Sequence, residues 1–117
     1  MIVKFHPSLT AERWRSLGWD KRILNIASEL ARAKAWIHEN HPGYAKQSIE
    51  RALELVDLTV EAGPEGKTPG FMRELLRFRE CLAGFYDTPS RGYQEFVTLM
   101  EGFLDLDPAV HNLHLEI

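Results

Sequence analysis

Residues 19–62 read WDKRILNIASELARAKAWIHENHPGYAKQSIERALELVDLTVEA, and the two apolar periods inside this stretch decide the fold. At about 100° per residue, Trp19, Ile23, Ile26, Leu30, Ala33 and Ile37 fall on one helical stripe, while Asn25, Ser28, Glu29 and Arg32 lie off it. Asp20 is the expected N-cap, with Trp19 packing on Leu24 as a hydrophobic staple. A second stripe follows Pro42, formed by Ala45, Ile49, Ala52, Leu53, Val56 and Val60. Proline suits a first helical turn because its missing N–H would have no partner there. About three residues join the two helices, so they are expected to be antiparallel neighbours.

The same plan recurs further on. Phe71, Leu75, Phe78, Leu82 and Phe85 make a third stripe, and Tyr93, Phe96, Val97, Met100, Phe103 and Leu104 make a fourth. Between the halves, Gly63-Pro64-Glu65-Gly66-Lys67-Thr68-Pro69-Gly70 is the one linker-like run. A short helix is expected from about Leu9 to Leu17, capped by Ser8 or Thr10. These elements predict a single all-α domain over residues 1–117: a four-helix bundle of two antiparallel hairpins plus the short N-terminal helix. Hairpin 1 covers about 20–62, the loop 63–70 and hairpin 2 about 71–106. At the ends, Val3 and Phe5, and Leu113, Leu115 and Ile117, alternate with polar residues as short strands do, and both tails are expected to dock.

Gly43-Tyr44-Ala45 followed by Ala52-Leu53-Glu54-Leu55, and later Gly84, Tyr93 and Asp107-Pro108, look like pieces of the tetratricopeptide signature. Gly43-Tyr44 and Gly92-Tyr93 lie 49 residues apart, however, where that repeat stacks every 34 or so. What survives is a generic antiparallel helix pair.

The 117 residues are 44% hydrophobic and 26% charged, which is globular composition and excludes disorder, a fibrous repeat or a membrane span. A core of this size needs neither disulfide nor metal. The lone Cys81 precludes an internal disulfide and, with no secretory leader at Met1 to Pro7, points to the cytoplasm. A net charge of −3 and dispersed basic residues speak against nucleic-acid binding. The one patch mixing an aromatic with cations is Arg13-Trp14-Arg15 with Lys21-Arg22, read as a solvated helix face.

Candidate chemistry is sparse. His38 and His41 share a spacing of three with His111 and His114, a separation that can bring two imidazoles to one helix face as metal ligands. The Glu-x-x-His element of di-iron bundles is missing, and the plainer role for His38 and His41 is to cap a helix C-terminus. Arg32, five intervening residues and His38 resemble the motif of HEPN ribonucleases, themselves small helical bundles. That resemblance implies a phosphate-holding arginine and a proton-transferring histidine. Ala33 departs from the polar residue usual after that arginine. Glu50, Glu54, Asp57 and Glu61 form an acidic stripe, either solvated or facing Arg73 and Arg77. There is no Gly-x-Ser-x-Gly, phosphate loop or Cys-x-x-Cys, so no catalytic nucleophile and no cofactor are expected. Cys81 is expected to be packed and unreactive.

The third helical segment carries one apolar face too many. Tyr44, Leu55, Leu58 and Ala62 cluster roughly 140–180° from its main stripe. Either the N-terminal helix or a tail covers them, or another protein does. Trp36 also lies off its stripe, as interface aromatics often do. The expected function is a non-enzymatic protein–protein interaction or self-associating module using Trp36, Tyr44, Leu55, Leu58 and Ala62. The alternative is a metal-binding or HEPN-type RNA-cleaving bundle using His38, His41 and Arg32.

Overall fold

A computed structural model describes residues 9–88 and 92–107, and the terminal strand-like segments and the His111/His114 pair lie outside them. Among the described residues five helices follow one another: α1 (Ala11–Ser16), α2 (Trp19–His38), α3 (Pro42–Ala62), α4 (Pro69–Asp87) and α5 (Tyr93–Leu104). α2 packs on α3, α3 on α4, α4 on α5 and α5 back on α2, so the four long helices close a ring, and α1 lies against α3 outside it. The fold is the expected all-α four-helix bundle with one added short helix.

The core is what the four stripes predict. Ile23, Ile26, Leu30, Ile49, Ala52, Val56, Leu75, Leu82, Phe96 and Phe103 are fully enclosed. Two aromatic pairs weld α4 to α5: Phe78 with Phe103 at 4.6 Å and Phe85 edge-on to Phe96 at 5.2 Å between centroids. Such pairs add about 0.5–1.5 kcal/mol each beyond the area they bury.

Local chemistry sets the helix ends. The Thr10 hydroxyl accepts from the Arg13 amide at 3.1 Å to start α1, and Thr68 accepts from Phe71 at 3.3 Å to start α4. α3 begins with Pro42 at its first turn and stops at Gly63, whose φ of +98° is costly for any residue with a Cβ.

The start of α2 departs from expectation. The helix begins at Trp19, one residue before Asp20, with extended Gly18 at the cap position. Trp19 is therefore the first helical residue and not the residue ahead of the cap that a staple uses. Its indole N–H donates to the Glu65 carbonyl at 2.6 Å, and its ring stands edge-on to Phe71 at 5.0 Å. The indole N–H is a donor only, and the loop between α3 and α4 supplies its acceptor.

Candidate interaction surface

The second apolar face of α3 is closed from within. Leu55, Leu58 and Ala62 are at most 3% exposed, beneath α1, so these three residues are core and offer no open face. Trp14 is the plug. It is 2% exposed, and its indole N–H donates to the Thr59 hydroxyl at 2.8 Å, which itself donates to the Leu55 carbonyl at 2.8 Å. Arg15 adds a bond from Nε to the Ala62 carbonyl at 2.7 Å. Of the coverings that the sequence allows, the N-terminal helix is present, and Trp14 belongs to the interior instead of a basic surface patch.

Trp36 and Tyr44 are placed differently. α2 ends and α3 begins at the same end of the bundle, so the last turn of one and the first turn of the other bring Trp36, His41 and Tyr44 together. Trp36 and Tyr44 ring centroids are 4.8 Å apart, and His41 stands edge-on to Trp36 at 5.5 Å. α5 starts at this end too, and Tyr93 lies 5.1 Å from His38. From the end of α4, Tyr86 meets Lys46, whose ammonium is 5.2 Å from its ring centre. Tyr44 is 55% exposed and Tyr93 40%. The sequence pattern assigns Tyr93 to the core stripe. It is the first residue of α5, flanked by His38 and otherwise open to solvent.

The acidic stripe is real as an alignment but not as a uniform face. Asp57 receives two hydrogen bonds from the Arg79 guanidinium, through Nε to one oxygen and Nη2 to the other, the latter at 3.0 Å. This pairing holds Arg79 above its ordinary pKa. Glu50 accepts from the Tyr86 hydroxyl at 3.1 Å, which raises the phenol pKa. Glu54 is buried and Glu61 exposed. The expected partners Arg73 and Arg77 do not supply these bonds: Arg77 pairs with Glu74 on its own helix at 3.3 Å, and Arg73 is exposed. Position 79 faces α3 where 73 and 77 do not, because 73 and 77 sit on the outer side of α4.

Arg32 is engaged elsewhere as well. Buried Glu29 accepts from Arg32 Nη1 at 2.8 Å and from Arg51 Nε at 3.0 Å, and Arg51 also bonds Ser48 at 3.1 Å. The Arg32 guanidinium thus bonds a carboxylate, while His38 faces Tyr93. His38 ends α2 and His41 precedes α3, both exposed, and among the described residues no group of three or more His, Cys, Asp or Glu is placed to hold a metal ion. No described helix is long and apolar enough to cross a membrane. Cys81, expected to be packed, is exposed. It borders a groove of about 250 Å³ between α4 and α5, floored by Phe78, Leu99 and Phe103.

Compared with family models, curated proteins and solved structures, the chain matches none of them.

Proposed function

We propose that the protein is a non-enzymatic interaction module that binds a protein partner, or a second copy of itself, through the aromatic end of the bundle. Trp36, His41 and Tyr44 form the centre of this surface and His38 and Tyr93 its flank. The observation that carries the reading is that Tyr44 and Tyr93, two of the three large hydrophobic residues left exposed among the described residues, both lie at this end. Tyrosine and tryptophan are the side chains most enriched in binding hot spots, because they bury large rigid surfaces at little entropic cost. Leu55, Leu58 and Ala62, enclosed by α1, act by shaping α3 and not by touching a partner.

Sedimentation velocity between about 1 and 100 μM tests self-association directly, a range that brackets micromolar affinity. The expected result is a mass that rises with concentration for the native chain and stays monomeric for Tyr44→Glu with Tyr93→Glu. If the native chain is monomeric throughout, self-association fails. If, in addition, the doubly substituted chain keeps every binding partner recovered with the native one, the aromatic end is not the interface.

A further inference from the structure

Arg22 is the least satisfied charge among the described residues. It is 5% exposed, and its guanidinium carbon lies 3.8 Å over the Trp19 ring. Its Nε is enclosed and has no hydrogen-bond partner. A guanidinium taken out of water is ordinarily paired with a carboxylate or phosphate, because desolvation without a partner is expensive. Burial accordingly pushes the Arg22 pKa down, and nearby Arg15 pushes the same way, against the opposing pull of Glu65.

Further charged groups lie around it. Arg15 of α1 is anchored through Nε to the Ala62 carbonyl at 2.7 Å, which leaves its terminal nitrogens available. Lys67 also reaches the Trp19 ring, at 5.6 Å, but is neutralised by Asp107 at 3.3 Å. Glu65 is exposed, with its carboxylate folded back over Gly63, where an added Cβ would lie 2.7 Å from Oε2. Asp20 and Lys21, in the same turn as Arg22, are both exposed and offset one another in formal charge.

We propose that Arg22 and Arg15, at the junction of α1, α2 and the loop between α3 and α4, bind a dianionic oxyanion of phosphate or sulfate size. A dianion would balance the charges of both guanidinium groups, for which Glu65 is the competing carboxylate. Guanidinium forks match tetrahedral oxyanions geometrically, and each charge-assisted bond is stronger than a neutral one. Glu65 is then the competitor for Arg22, and the ligand must displace its field. Trp19 is the rigid platform that holds the Arg22 plane.

The test is a titration of the native chain with inorganic phosphate at constant ionic strength, followed by the NMR signal of the Trp19 indole N–H, with sulfate and acetate as further arms. Saturable shifts with phosphate and sulfate, and weaker ones with acetate, are expected. Arg22→Met, which keeps an apolar stem over Trp19, and Arg15→Met should each weaken phosphate binding about tenfold or more, equivalent to a lost charged contact. Glu65→Gln should tighten it. The proposal is overturned if phosphate gives no saturable shift, or if Arg22→Met and Arg15→Met both bind it as the native chain does. It is equally overturned if Glu65→Gln lowers thermal stability while leaving phosphate affinity unchanged, for then Glu65 is the structural counter-ion of Arg22.

Discussion

Replacing Trp14 by alanine removes the plug that joins α1 to the bundle. A buried indole covers about 150–250 Å², which at about 25 cal/mol per Å² corresponds to roughly 4–6 kcal/mol of transfer free energy. Two structural features pull the observed cost towards the lower end of the usual 3–5 kcal/mol or so for such truncations. The Thr59 hydroxyl keeps its bond to the Leu55 carbonyl, so no polar group is orphaned. And α1 has only six residues, so it can detach as a unit, which limits the loss to its own docking energy. A loss of about 3 kcal/mol is expected, a large part of a typical domain's stability. Urea unfolding followed by far-ultraviolet circular dichroism measures it, read as a lowered midpoint. Detachment also uncovers Leu55, Leu58 and Ala62, so the variant should bind a hydrophobic dye and associate at concentrations where the native chain does not. Thr59→Val provides the converse perturbation: it keeps the volume but leaves the indole N–H buried without an acceptor, at about 1–3 kcal/mol. A loss below about 1 kcal/mol for Trp14→Ala, with no new association, would refute the assignment of α1 as the cover of α3.

Glu29→Gln should lower stability by about 1.5–3 kcal/mol, the range for hydrogen bonds to a charged group, with Arg51 accounting for more of it than the exposed Arg32; chemical denaturation of Glu29→Gln against Arg32→Ala separates the two. The Tyr86 phenol should titrate above the ordinary value of 10.0 in an ultraviolet absorbance titration and return towards it in Glu50→Gln. Because the folded pKa is the higher one, the associated stability is fully present below pH about 10 and is lost as pH rises through the folded value. Cys81 should react fully with a thiol reagent in the absence of denaturant; protection of the native thiol would contradict its exposed position at the α4–α5 groove.

The positions at which periodicity and structure disagree share a physical cause. Tyr93 has the right phase for the core but sits where its helix begins, flanked by His38 at the end of α2 and otherwise open to solvent. Trp19 has the phase of the α2 stripe, yet its N–H seeks the Glu65 carbonyl, an acceptor 46 residues away that no local pattern announces. Asp57 lies on a visible acidic line, but its partner is decided by the rotation of α4 about its own axis, which selects Arg79 over Arg73 and Arg77. Cys81 follows the same logic: a rotation of this helix leaves it at the rim of the groove instead of inside the core.

Helix number, helix boundaries to within a residue or two, the short connections and the four inward stripes were all determined by sequence alone, because 3.6-residue periodicity and capping chemistry are local properties. The excess apolar face of α3 was legible in the same way. Which object covers it was not, since Trp14 and Thr59 are 45 residues apart and their hydrogen bond exists only once the chain is folded. Tertiary structure alone decided that α1 closes that face, that the exposed aromatics collect at one end, and that Arg22 is buried with its Nε unpaired. Each of these depends on the relative rotation and docking of helices, which burial over the whole molecule selects and no single helix encodes.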